Sequence, residues 1–265
     1  MIVKGHFLTD LKKSFYNIEL AAELSKSEIR VRYAHSKLGP FWETLSLAIF
    51  LIVLSVVWSR IMAMDLNDYL PYLVCGVVIW RYISFIVTGS CQIFITNSNL
   101  LKNFNLSISL IPLKHSIGGF LIFLHHLPLI LLINIIWNNN FLTLNLLYLI
   151  MTIPLFVFIS FMIALFVSLL TLRFRDLQPL VQTTFSVMIF FTPVLWKVSQ
   201  VSEKMQSYIV FPNFLYHYIE LIRAPILGNS ISSFSWIYLI IFTIIISIVN
   251  IIIININFKN IKFWI

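Results

Sequence analysis

Charge is scarce in this chain. Of 265 residues, 11% are Asp, Glu, Lys or Arg and 60% are hydrophobic, whereas a soluble domain carries about 25% charged residues. With a mean hydropathy of +0.94, the shortfall excludes an ordinary soluble domain and indicates a chain that crosses a membrane several times. Glycine is scarce too. None of the seven is followed by lysine, so no phosphate-binding loop of the GxxxxGK[ST] kind is present, and the chain cannot bind ATP in that way by itself. The middles of the apolar runs hold no Asp or Glu, the groups on which proton- or sodium-coupled carriers often rely. They hold no ring of charge of the sort that filters ions either. A transporter built this way is expected to take its driving force from another polypeptide. The two cysteines, Cys75 and Cys91, read as lying on one helix, about 24 Å apart by helical rise. That is too far for a mutual disulfide, and they say nothing about redox compartment. The first forty residues lack a continuous apolar core ending in a small-residue cleavage site, so no secretory leader is expected.

The chain is organised around Arg30 to Trp42, RVRYAHSKLGPFW. Upstream, Lys4, Lys12, Lys13, Lys26, Arg30, Arg32 and Lys37 are interleaved with Glu19, Glu23 and Glu28, a pattern that suits a cytoplasmic surface beside anionic lipid. The net charge of +8 forms no basic stripe with exposed aromatics, so nucleic acid is not an expected partner. Gly39-Pro40 breaks the preceding helix, because proline restricts its predecessor and has no backbone donor. Phe41 and Trp42 then stand where a span meets the headgroups. From Leu8 to Ile29 apolar residues recur at Leu8, Leu11, Phe15, Ile18, Ala22 and Ile29, the spacing of an amphipathic helix, with Thr9 or Asp10 to cap its start. Forty residues are too few for a separate soluble core, so this helix is expected to lie in the membrane interface.

The pattern predicts an all-α polytopic membrane protein with two parts: a cytoplasmic amphipathic arm at 1–40 and a six-helix transmembrane domain at 41–265. Spans need roughly 20 apolar residues each. They are expected at about 41–62, 70–90 and 116–136, within 144–172, at about 177–196, and within 231–258. With the N-terminus inside, the cytoplasmic segments hold thirteen Lys and Arg: the seven above, Lys102, Lys114, Arg173, Arg175, Lys259 and Lys262. The outer segments hold four, Arg60, Lys197, Lys204 and Arg223. This asymmetry sets both termini in the cytoplasm. The outer stretch YIVFPNFLYHYIELIRAPILG is apolar and aromatic but broken by prolines. It predicts two short helices near 202–211 and 213–223, tucked back among the spans where broken backbone can be satisfied.

Arg81 stands near the middle of the second span, where a charge is costly unless paired or wet. It either faces a pathway for anionic groups, or pairs inside the bundle or snorkels to a nearby interface, Glu43 and Glu220 being the partners at suitable depth. His125-His126 in the third span point about 100° apart with no ligand at metal spacing, which favours polar packing over a metal site. No acid lies at similar depth for Ser/His/Asp catalysis, and a transferase acting on lipid-linked sugars would need a catalytic acid and usually a metal or nucleotide site. Two inside connections stand out. Residues 97–115, NSNLLKNFNLSISLIPLKH, read as a loop with a short amphipathic element closed by Pro112, and TLRFRDLQP packs Arg173, Arg175 and Asp176 between two spans. Each is a positive-inside anchor or a knob that a soluble motor would grip. Aromatic residues are plentiful, with 24 Phe, 10 Tyr and 7 Trp, and would suit a conduit for sugar rings.

RYAHSKLGPFW (32–42), YLPYLVCGVVIWRYIS (69–84), RFRD (173–176), FFTPVLW (190–196) and PNFLYHYIELIRAPILG (212–228) together resemble the membrane subunit of ABC exporters for cell-surface polysaccharides, above all O-antigen export permeases. Capsule and teichoic-acid permeases share much of the pattern, and a drug or lipid ABC permease is a further alternative. The resemblance implies a homodimer in the bacterial inner membrane that binds two copies of a soluble ATPase, which holds ATP and Mg; no cofactor or metal is expected in this chain. It implies a coupling helix around Asn99, Leu100, Leu101, Lys102, Asn103 and Phe104, with Arg173, Arg175 and Asp176 beside it. It implies access for a lipid-linked polysaccharide at the cytoplasmic interface, with Arg30, Arg32 and Arg81 toward the lipid diphosphate. It also implies an outer gate around Tyr208, Phe211, Phe214, Tyr216 and Tyr218.

Overall fold

The computed structural model describes residues 6–34, 36–104, 106–138 and 142–264. Lys4 and His35 lie outside the described residues, as do the side chains of Lys259 and Lys262. Among the described residues there is no strand. Two helices form the arm, α1 (His6–Tyr16) and α2 (Ile18–Arg32). Then follow α3 (Phe41–Ile61), α4 (Leu66–Ser90), the short α5 (Ile93–Thr96) and α6 (Ser98–Asn103), and α7 (Leu110–Trp137). A 3-10 turn leads into α8 (Tyr148–Arg173), followed by α9 (Leu177–Phe191), α10 (Glu203–Met205) running into a π turn to Val210, α11 (Phe214–Ile226) and α12 (Ser233–Trp264).

Among the described residues, five helices are long and apolar enough to cross a membrane: Phe41–Ile61, Leu66–Ser90, Leu110–Trp137, Leu144–Arg173 and Ser233–Phe258. The span expected at 177–196 is shorter. Helix α9 has 15 residues, about 22 Å of rise, and stops before Pro193 because proline disfavours a helical predecessor. Residues 192–196 carry on as irregular backbone, buried in the bundle at 192–195 and half-buried at Trp196.

Helix α4 is the most enclosed of the long helices and packs against α3, α7, α8, α9 and α11. Close approach is permitted at Gly76, where an added Cβ would lie 3.2 Å from the Val194 carbonyl oxygen. An aromatic core joins α4, α7, α8 and α11: the Tyr82 ring stacks 4.8 Å from Phe156, which lies 4.6 Å from Tyr218. Their hydroxyls are satisfied, Tyr82 donating to Ser160 Oγ at 2.6 Å and Tyr218 to the Phe156 carbonyl at 2.6 Å. Helix α12 is held on α8 by the Asn250 amide, which donates to the Met162 carbonyl at 3.0 Å. Elsewhere α3 and α12 expose rows of apolar side chains, among them Phe50, Ile52, Val53, Ile244 and Ile248, as befits a surface bathed in lipid rather than water.

The arm departs from the expected single helix in two ways. It is broken at Asn17. Its apolar stripe, expected to lie toward the membrane interface, faces away from the bundle. Leu8, Phe15 and Ile18 are exposed, while Phe7, Asp10, Ser14, Ala21 and Ser25 are buried. Small side chains let two helices approach closely, so the arm lays its small and polar face on the bundle and keeps its greasy face outward. Lastly, Asp10 does not cap its own helix. Its carboxylate accepts the backbone N–H groups of Ile108 and Ser109 at 2.8 and 2.9 Å, just ahead of α7. Pro112 lies in the first turn of α7, where a missing N–H costs nothing, instead of closing the preceding loop.

Candidate functional site

At one end of the bundle the chain makes a knob. Helix α5 stops at Asn97, which serves as the C-terminal cap of α5 and the N-terminal cap of α6. No residue of α6 is buried. Asn99, Lys102 and Asn103 are exposed, Leu100 and Leu101 half-buried against the core, and Phe104 is 60% exposed at its tip. The second connection lies at the same end of the bundle: the Thr171 hydroxyl donates to the Cys91 carbonyl at 3.1 Å. Arg173, Arg175 and Asp176 are exposed. The Arg173 guanidinium lies 4.8 Å from the Trp264 ring, a cation–π contact that draws the end of α12 to this face.

The knob is anchored to the arm. The Lys114 ammonium, 2.8 Å from a Glu28 carboxylate oxygen, also donates to Asn97 Oδ1 at 2.7 Å. The Ser25 hydroxyl donates to the Lys114 carbonyl at 2.7 Å. Partial burial tends to raise the Glu28 carboxyl, but the Lys114 bond and charge, with Arg32 and His115, hold it below its ordinary range. Arg30 is exposed. Arg32 reaches Glu28 at 3.9 Å and lies 5.8 Å from the Phe85 ring. Across the turn that contains Gly39 (φ +55°), the Tyr33 hydroxyl donates to Glu43; burial and this carboxylate push it up to about 12.

Arg81 does not meet the partners expected of it. Glu43 accepts from Tyr33, and Glu220 is paired with Arg223. Arg81 is exposed on the side of α4 and makes no ion pair among the described residues; Phe85, whose ring Arg32 approaches, stands one turn further along the same helix. His125 and His126 pack as polar groups: His126 Nδ1 is 2.9 Å from the Thr44 hydroxyl, and His125 Nδ1 is 2.7 Å from the Leu121 carbonyl. Among the described residues no group of three or more His, Cys, Asp or Glu is placed to hold a metal ion.

The opposite end is built around α11. Tyr208 and Phe211 are exposed, Phe214 and Tyr216 half-buried, and Tyr218 fully buried. Thus the aromatic set divides: Tyr218 and Phe214 are core, Phe214 stacking on Phe242, while Tyr208 stands free at the rim. Sequence reasoning missed the group that organises this end. Arg223, 1% exposed, donates from Nε to Glu220 Oε1 at 2.8 Å and from Nη1 to the Pro193 carbonyl at 2.6 Å, and its Nη2 also contacts Glu220. It lies 4.2 Å over the Tyr72 ring. The Tyr72 hydroxyl donates to the Pro193 and Trp196 carbonyls at 2.9 and 3.0 Å, and Tyr69 donates to Leu195 at 2.6 Å. The irregular segment after α9 is therefore pinned by one arginine and two tyrosines. Glu220 and Arg223 stand at i,i+3 in an apolar stretch, a spacing that signals an ion pair.

A bundle of long apolar helices with an exposed knob at one end and a buried, broken segment at the other defines a polytopic membrane protein. Residues 20–227 match the ABC-2 type transporter family, and the chain belongs to it. It is similar to two proteins of Klebsiella pneumoniae named O-antigen export system permease protein RfbA. One is 27% identical over 200 residues, 74% of this chain and 76% of that protein; the other is 26% identical over 197 residues with the same shares. A Myxococcus xanthus protein of that name is 22% identical over 190 residues, 70% of this chain and 71% of its own. The family implies an ATPase subunit as partner.

Proposed function

We propose that this chain is the permease subunit of an ABC transporter that exports a lipid-linked polysaccharide of the O-antigen class across a bacterial inner membrane. Two copies would form the conduit and two copies of a separate ATPase would drive it, binding ATP and Mg in the partner. The observation that carries this reading is the knob at Ser98–Phe104. It is a short helix with no buried residue, tipped by an exposed phenylalanine and rooted between two spans, the form a soluble motor can seat in a groove. Asn99 to Phe104 are its contact surface, with Arg173, Arg175 and Asp176 flanking it.

In this reading both termini and residues 1–40 lie on the cytoplasmic side, in accord with the Lys and Arg asymmetry, and residues 41–265 form the transmembrane domain. Arg30 and Arg32 meet the lipid diphosphate, to which charge-assisted contacts from arginine are suited. The exposed Arg81 receives the same group within the bilayer. Around Tyr208, Phe211, Phe214, Tyr216 and Tyr218 the chain forms the outer gate, its aromatic rings suiting the C–H faces of sugars. The O-antigen names of the similar proteins from Klebsiella pneumoniae and Myxococcus xanthus support this substrate over other ABC-2 cargoes. Purification from the native host should yield an ATPase subunit at one-to-one stoichiometry, and deletion should make a lipid-linked polysaccharide accumulate on the inner leaflet. Recovery of the chain without an ATPase, or accumulation of a small lipid in place of a polysaccharide, overturns it.

A further inference from the structure

The N-terminal arm holds the knob at both ends. At the leading end, Lys114 joins Glu28 of α2 to Asn97, the residue on which α5 turns into α6. At the trailing end, Asp10 of α1 takes two backbone N–H groups, from Ile108 and Ser109, and the Ser14 hydroxyl lies 2.7 Å from that of Ser107. These groups are enclosed: Asp10, Ser14, Ser25, Ser107 and Lys114 are all less than one-tenth exposed. A carboxylate accepting two buried N–H groups is among the stronger protein contacts, and removing one partner of a buried polar set leaves the other unsatisfied. The arm is also fastened to the last span, where the Phe7 N–H donates to Asn255 Oδ1 at 2.9 Å. Among the described residues its link to α3 is much slighter, consisting of the Tyr33–Glu43 bond and a chain crossing at Gly39, whose φ of +55° has open space around it.

We infer that Asp10 and Lys114 are positioning residues that lock the arm onto the knob. A load applied at Ser98–Phe104 then moves arm, knob and the start of α7 as one body relative to α3, with Gly39 as the pivot. The arm is in this way a transmission element as well as a membrane-surface anchor, and its stroke alters the gap between α2 and α3 at the membrane surface. The inference rests on the reading that a separate ATPase drives this chain through the knob.

The clamp itself supplies the test. Ser14→Cys with Ser107→Cys places two thiols where hydroxyls now touch, and oxidation should link arm to knob covalently. In the permease–ATPase complex reconstituted in vesicles, the oxidised protein should export polysaccharide within twofold of its reduced form, because parts that move together lose nothing by being joined. Export blocked by oxidation and restored by dithiothreitol overturns the inference. A second measurement covers loss of coupling. Lys114→Met should lower export per ATP hydrolysed at least tenfold with the complex still assembled, and the exchange Glu28→Lys with Lys114→Glu should recover at least half. Unchanged export per ATP in Lys114→Met, or no recovery in the exchange, also overturns it. A wild-type complex that hydrolyses ATP with no export of polysaccharide counts against the assigned cargo, and leaves the clamp to be judged by the effect of Lys114→Met on ATPase activity.

Discussion

Replacing Arg223 by Met removes the buried cation of the α11 network while keeping a side chain of similar length. Glu220 then loses its partner at 2.8 Å, and the Pro193 carbonyl keeps only Tyr72. Removing one member of a buried ion pair costs about 3–5 kcal/mol. Glu220 retains 19% side-chain exposure, so water can reach its carboxylate and the lower end of that range applies. For a chain of this size 1 kcal/mol corresponds to roughly 2–4 °C, which sets the expected fall in melting temperature at about 6–12 °C. Fluorescence-detected gel filtration of heated, detergent-solubilised protein reads this directly. Replacing both partners, Arg223→Met with Glu220→Leu, should be less harmful than the single change, since an apolar pair avoids the stranded charge. Arg223→Lys should fall between, because an ammonium cannot present a planar fork to Glu220 and Pro193 together. A single Arg223→Met protein melting within 2 °C of its parent, a shift worth about 1 kcal/mol or less, would show that the network does not hold the segment after α9.

Three further outcomes follow from geometry. Gly76→Ala places a Cβ 3.2 Å from the Val194 carbonyl oxygen, a backbone atom held by its surroundings, and should cost about 1–3 kcal/mol in the same melting assay; an unshifted melt counts against the close approach. Phe104→Asp puts charge at the tip of the knob and should reduce ATPase co-purification at least fivefold with little change in permease stability, as Phe104 is exposed. The Glu28 carboxyl sits below its ordinary value of 4.5, so its contribution to stability is complete above that value and is lost as pH falls through the lower, folded value. The difference in melting temperature between the parent and Glu28→Gln should therefore be constant from pH 6 to 8 and shrink below pH 4; a difference that changes between pH 6 and 8 refutes the assignment.

Much of the architecture was legible because the bilayer imposes long apolar runs. Five full-length helices and both short outer helices fall close to where hydropathy and proline positions set them. The misreadings concern side chains whose roles depend on what packs against them. Asp10 looked like a cap for the helix that contains it, yet it caps backbone nearly a hundred residues away. No local pattern encodes such a contact. The arm's apolar stripe was read as lying toward the membrane interface and does face away from the bundle, but spacing did not tell that the small polar residues Ser14 and Ser25 would take the protein side. Lys114 entered only as one positive charge among thirteen, since its joint role needs Glu28 and Asn97 brought together in space. Arg223 was the avoidable omission, its acidic neighbour standing three residues away.

The central position of α4 bears on how the protein is made. It is the least apolar of the five long helices and also the most enclosed by its neighbours, and it carries Asp68 and Arg81. A ribosome delivers it to the membrane before α7, α8 or α11 exist to surround it. Until the third span emerges, this segment has weak title to the lipid, so insertion of the second and third spans as a pair is the order that spares it exposure.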